Sequence, residues 1–334
     1  MTAPIALAVL SLLLLQTPAY VPERVYDTRQ GTFVDFEVML AGIAAADVVF
    51  VGEMHDDPNT HRLEAAILDG LQRRGRSPIV SLEMFERDAQ GALGEYLAGR
   101  MGEEEMLKVS RPWPRYATDY RPLVERAKAA GWPVIAANVP RPIAQKVAKG
   151  GKEALDQLTE AERANTARDL QCPLDTYYDR FAESMSGHPM PNQTDAEKKA
   201  MAERYYWSQC VKDETMAEAI ASAVQHNSAG LALSEQREPA LSEQSEPALS
   251  EQSESKGSKG PVVHYNGAFH SDFGLGTAER VRRRLPGKRT VVISVLPVDD
   301  LDTLQPSGEA LKRADYLVYT TSTKPQPADK KQPN

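Results

Sequence analysis

The chain has 334 residues, 41% of them hydrophobic, enough to bury a sizeable core in one large or two modest domains. Its 39 basic and 47 acidic residues leave a formal charge of -8, and nothing in that balance suggests a nucleic-acid footprint, which would need a basic face. That acidic balance bears on solubility and not on fold.

In chain order, an apolar segment from Ile5 to Leu15 comes first, followed by Gln16-Thr17-Pro18-Ala19. It is shorter than the roughly 20 apolar residues of a membrane span and reads as a secretory signal over 1–19, without the usual basic start. No cysteine follows it, so a lipid anchor is not supported. An extended segment from Tyr26 to Phe36 precedes an alternation of strands and helices. Strand 48–53 leads to a helix near 58–74, and strand 79–85 to a helical stretch near 87–108. A helix over Tyr120 to Gly131 precedes the strand Pro133 to Asn138. Such alternation predicts an α/β fold with a mostly parallel central sheet flanked by helices.

From Arg141 to about Asn227 the pattern is helical only, with a loop at 187–192, and reads as an inserted all-helical cap. Residues 233–240, 241–248 and 249–256 then repeat as LSEQREPA, LSEQSEPA and LSEQSESK, a composition that cannot bury an apolar face. Strand patterns resume at Pro261, 290–296 and 316–319, and the tail from Ser322 is polar and Pro-rich. The predicted division is therefore a core of 20–140 with 261–321, a cap at 141–228, a disordered loop at 229–260 and a disordered tail at 322–334. The two cysteines, Cys172 and Cys210, are either a disulfide, which export would permit, or unrelated buried thiols.

Three of the predicted buried strands end on ionisable residues. They are Val48 to His55, Ile79 to Phe85 and Val262 to His270. In parallel sheets ligands bind beyond the carboxyl ends of the strands, so Glu53, His55, Glu83 and His270 are expected to meet there as a catalytic-type pocket. Gly52 allows a close backbone approach, and Asp57-Pro58 supply an N-cap and first-turn proline to the next helix. A buried Glu83 needs a partner, which on structural grounds alone would be Arg87 or another cation; Glu86-Arg87-Asp88 read as a solvated helix start. His61 and His264 read as structural, and Arg280, Arg282, Arg283, Arg284 and Lys288 as a solvated helix end. The helix from Thr277 could offer its amides to an anion, although its Gly-x-Gly lead is a weak signal.

Two uses of the four residues remain open. Glu53, His55 and His270 could bind a divalent metal that activates water, or the set could run metal-free acid–base hydrolysis. The signatures G-x-S-x-G, P-loop, G-x-G-x-x-G, H-E-x-x-H and C-x-x-C are absent.

At Val51 to Asp57, Leu82 to Asp88, Lys212 to Ala217 and Asn266 to Asp272 the chain resembles the ChaN-like haem-binding uptake family of the superfamily that includes Tiki proteases, TraB proteins and erythromycin esterases. The resemblance implies an α/β sandwich with a helical cap, export to the periplasm or cell envelope, and a haem ligand in haem or iron uptake. It also implies that Glu53, His55, Glu83 and His270 line the superfamily pocket, which serves hydrolysis of an ester or peptide bond in esterase and protease relatives. Haem binding in the family is linked to tyrosine and to homodimer formation, and uptake implies envelope transport components as partners. The cap offers Tyr177, Tyr178, Tyr205 and Tyr206, whose spacing otherwise suits packing.

Overall fold

The computed structural model describes residues 20–186, 194–235 and 260–322. The apolar segment at 5–15, the loop at 187–192, the octapeptide repeats beyond residue 235 and the tail from residue 323 lie outside the described residues. Eight strands form one sheet: β1 (Glu23–Asp27), β2 (Thr32–Val34), β3 (Val48–Glu53), β4 (Ile79–Glu86), β5 (Val134–Asn138), β6 (Val262–Gly267), β7 (Thr290–Val298) and β8 (Tyr316–Thr321). Their order is β2-β1-β8-β7-β3-β6-β4-β5. From β8 to β5 every neighbouring pair is parallel, while β1 runs antiparallel to both β8 and β2. The expected α/β class is what the chain adopts. The extended segment at Tyr26 to Phe36 is in fact the edge hairpin β1–β2.

Both faces of the parallel strands are covered, which is why they read as continuous apolar runs rather than alternating ones. Val49, Val51, Val80, Leu82, Val263 and Ile293 pack on one side. There they meet α1 (Phe36–Ile43) through Leu40 and Ile43, and α2 (Pro58–Arg73) through Leu63, Ile67 and Leu71. Asp57 caps α2 as expected, accepting from the Asn59 and Thr60 amides, with Pro58 at the first helical position. The stretch expected as one helix near 87–108 is broken into a turn at Arg87–Ala89, then α3 (Gln90–Leu97) and α4 (Glu103–Ser110). α5 (Tyr116–Asp119) and α6 (Arg121–Ala130) complete this layer.

After β5 come α7 (Arg141–Gly150), α8 (Glu153–Asp156), α9 (Glu160–Ala164), α10 (Thr176–Ser186) and α11 (Asp195–Glu235), with no strand among the described residues before β6. The 41 residues of α11 span on the order of 60 Å. Ala217, Ile220 and Val224 of α11 pack with Ala278 and Val281 of α12 (Gly276–Arg284) on Val48, Phe50, Val262 and Val292, the other face of the sheet. The cap is therefore tied to the core by a helix that belongs to both. Cys172 and Cys210 form a disulfide with Cα atoms 5.7 Å apart, joining the segment before α10 to α11.

Candidate functional site

The late strand β6 inserts between β3 and β4, so the carboxyl ends of these three strands lie side by side. Glu53 ends β3 opposite Gly267, which ends β6. β4 pairs with β6 only as far as Leu82–Tyr265, and its register against β5 shifts between Leu82 and Glu86. Such irregularities re-aim side chains at strand ends. Here the shift turns Glu83 toward β6, where its Oε2 accepts the Gly267 amide at 2.7 Å. The close approach expected at Gly52 is real: a Cβ there would fall 3.0 Å from the Ala268 backbone and 3.2 Å from the Ser271 hydroxyl.

His270, in the turn after β6, is buried between two carboxylates. Its Nε2 lies 3.2 Å from Glu83 Oε1 and its Nδ1 2.7 Å from Asp213 Oδ1. Burial alone would lower the His270 pKa, but the Glu83 and Asp213 charges raise it to about 10. Burial would likewise raise the Glu83 carboxyl, and His270 holds it well below the usual carboxylate range instead. The partner of Glu83 is thus His270 and not Arg87, whose guanidinium binds Glu218 at 3.1 Å. Asp213 comes from α11 and also accepts from Tyr177 at 2.9 Å and Thr277 at 2.8 Å. A carboxylate of the chain's own, held by the Thr277 hydroxyl, therefore stands at the start of α12, where the sequence suggested an anion site.

Glu53 hydrogen-bonds His55 and also accepts from the Tyr120 hydroxyl at 3.0 Å. The His55 imidazole is half-exposed and packs edge-on against Trp113, ring centres 4.9 Å apart. On the other side of Glu53 stands His61, with Nδ1 3.2 Å from Glu53 Oε2 and 3.0 Å from Glu64 Oε2. Burial would raise the Glu53 carboxyl, but His55 and His61 outweigh it and hold it at about 2. His61 is raised to about 11 against its own burial by Glu53 and Glu64. Glu64, fully buried beside the Glu53 charge, is pushed up.

Glu53, His55, Glu83 and His270 thus fall into two histidine–carboxylate couples at neighbouring strand ends. The couples sense one another, since the Glu83 charge also raises His55. Among the described residues, the donor atoms that converge within 4.8 Å are those of Glu53, His61 and Glu64; His55 and His270 are not in that group.

Several expectations need correcting. His61 is part of the cluster because the turn at Asp56-Asp57 folds it back until its Nε2 is 3.1 Å from the His55 carbonyl. Glu86 is buried at the end of β4 and bound by Arg111 at 2.9 Å, not solvated. Arg280 is buried over the Tyr177 ring and joins Arg283 and Arg284 on the fully buried Glu214, at 3.3, 2.7 and 2.5 Å. His264 bonds Ser81 at 2.9 Å, and burial lowers its pKa to about 3, keeping it neutral.

Asp213 was legible in principle. Cys210, Asp213, Glu214, Ala217, Ile220, Ala221 and Val224 recur at helical spacing, and all are buried. An acidic pair on an apolar stripe must be partnered, which is the signal that was available.

Next to Trp113, which packs on His55, a trough of about 340 Å³ opens beyond β4 and β5, walled also by Arg141, Ala144, Tyr205, Ser208 and Lys212 among others. Of the four tyrosines of the cap, Tyr177 and Tyr206 are buried and donate to Asp213 and to the Pro173 carbonyl, and Tyr178 is buried against Tyr206. Tyr205 is exposed.

Residues 39–234 match the family described as haem-binding uptake, Tiki superfamily, ChaN. The chain belongs to that family. No curated protein matches it. Among solved structures it is similar to ChaN of Campylobacter jejuni, whose structure is described by its cofacial heme binding. The TM-score is 0.58 with 16% identity, over 90% of this chain and 97% of that one. It is also similar to a Bacillus cereus protein, with a TM-score of 0.43 and 11% identity over 85% of this chain and 91% of that one. For an erythromycin esterase in its open conformation the TM-score is 0.42 with 13% identity, over 86% of this chain and 79% of that one.

The side chains lining the trough of this ChaN-family chain suit, by their chemistry, the group its family binds. A tyrosine oxygen is a haem-iron ligand, Arg and Lys recognise carboxylates such as propionates, and Trp offers an aromatic face. Tyr205, Arg141, Lys212 and Trp113 supply these in one place, at the small end of ligand-pocket volumes.

Proposed function

We propose that this protein is exported and binds haem on the Tyr205 trough in the course of haem or iron uptake. The observation that carries the reading is membership of a haem-binding uptake family over residues 39–234, to which the trough adds donors of the right chemistry. Tyr205 would supply an oxygen ligand to the iron, Arg141 and Lys212 cations for the propionates, and Trp113 an aromatic contact. Bound haem supplies the redox and ligand chemistry; the chain positions it. Export is supported by the Cys172–Cys210 disulfide, since such bonds persist in oxidising compartments. Among the described residues no helix is long and apolar enough to cross a membrane. A homodimer and envelope transport components belong to the same proposal.

One observation favours a second reading as a hydrolase. His55 is half-exposed and oriented by the buried Glu53 carboxylate, the arrangement of a general base with its orienting partner. A single preparation separates the two. Haemin added to the purified protein should give a shifted Soret band that saturates at fixed stoichiometry, with no turnover of ester or peptide substrates. A flat haemin titration alongside ester turnover that His55→Ala abolishes would replace the first reading by the second.

A further inference from the structure

Glu53 has a second environment, away from His55. His61 and Glu64 stand three apart on α2, so one face of the helix presents an imidazole and a carboxylate together. Both are buried, as is Glu53, and one donor atom from each of the three lies within 4.8 Å of the other two. His61 is surrounded by acceptors. Its Nδ1 looks at Glu64 Oε2 and Glu53 Oε2 at 3.0 and 3.2 Å, and its Nε2 at the His55 carbonyl and Asp119 Oδ2 at 3.1 and 3.3 Å. Asp119 is in turn fixed by Arg115 at 2.8 Å.

A neutral imidazole has one N–H. If that hydrogen serves the Nε2 side, the Nδ1 lone pair faces two carboxylate oxygens, and a proton or a cation must lie between them. Two further atoms point the same way: Glu53 Oε2 and Glu64 Oε1, both buried, accept no hydrogen bond among the described residues. The Nε2 side already has the outer partner that metal-bound histidines carry, a carboxylate and a backbone carbonyl. Tyr120 and His55 hold the other Glu53 oxygen in the same manner.

We propose that Glu53, His61 and Glu64 form a binding site for a single borderline divalent cation, best matched by Zn²⁺, distinct from the haem trough. One imidazole nitrogen and two carboxylates are a three-ligand protein set that leaves a position open, and the two negative charges neutralise the ion. Of the three, His61 also borders a cleft of about 1240 Å³ whose wall includes Arg115, Asp119, Leu63 and Phe36. The trough by Trp113 and Tyr205 is walled by other residues.

The competing arrangements place a proton on His61 Nδ1 or on the Glu64 carboxyl, and metal titration of the haem-free, chelator-treated full-length protein decides between them and the ion. ZnCl₂ followed by calorimetry should show one saturable site per chain. His61→Asn and Glu64→Gln should each weaken it at least about tenfold, since even outer partners of metal ligands are worth 10–100-fold, while the exposed His226→Asn changes nothing. CoCl₂ added to the unmodified protein should give visible absorption bands of a nitrogen–oxygen ligand set, a readout that requires no variant to fold. The proposal is overturned if neither ion binds saturably, or if folded His61→Asn and Glu64→Gln proteins bind Zn²⁺ as tightly as the unmodified chain.

Discussion

His270→Ala is expected to cost about 3–5 kcal/mol of stability, because it strands two buried carboxylates at once. Glu83 and Asp213 lie 3.2 and 2.7 Å from its two ring nitrogens, and all three groups are buried. The remaining hydrogen-bond partners of Glu83 and Asp213, the Gly267 amide and the Tyr177 and Thr277 hydroxyls, are neutral, which leaves only the more distant charges of His55 and Arg280 to offset them. The pH dependence has a definite sign. His270 is raised from about 6.5 to about 10, so its contribution is complete below pH 6.5 and is lost as pH rises through 10. Glu83 is lowered, so its contribution is complete above the ordinary glutamate range near pH 4.3 and fades as pH falls toward its depressed value. From these two groups, stability should be highest between about pH 4.5 and 6.5 and should decline toward pH 10. Thermal melts at pH 6, 8 and 10 test this. The variant should lose on the order of 10 °C at pH 6 and much of the alkaline decline. Equal melting temperatures at pH 6 would remove the ion-pair account.

Removing the disulfide should have a comparable effect. The cross-linked cysteines are 38 residues apart in sequence, and closing a loop of that length restricts the unfolded chain by about 4 kcal/mol. Cys210 also stands one helical turn before Asp213, so freeing it loosens the part of α11 that delivers the carboxylate to His270. The Cys172→Ala/Cys210→Ala double variant, or the reduced protein, should melt on the order of 10 °C lower than the oxidised protein. Two titratable thiols in the unreduced, denatured protein would contradict the bond itself.

The strand-end residues were readable because their signal is local. A Val- and Ile-rich run can be recognised without knowing its neighbours, and the parallel-sheet rule then places Glu53, Glu83 and His270 together. What the pattern could not supply is contact between distant helices and the sheet. Asp213 reaches His270 only because α11 packs across the face of β6. His61 lies six residues beyond His55, yet the turn between them closes that distance to one hydrogen bond. Arg280 looked like part of a solvated basic run, because its partner Glu214 is 66 positions earlier and also belongs to α11. The β1–β8 pairing joins Val25 to Val318, a separation that no local pattern reports.

The haem assignment is tested most directly by titrating haemin into Tyr205→Phe beside the unmodified protein and Tyr178→Phe. Tyr205 is exposed on the trough with Arg141 and Lys212, whereas Tyr178 is buried in the aromatic cluster of the cap. Tyr205→Phe should lose the saturable Soret shift, and Tyr178→Phe should keep it. A shift of unchanged midpoint and amplitude in Tyr205→Phe would contradict the proposed site.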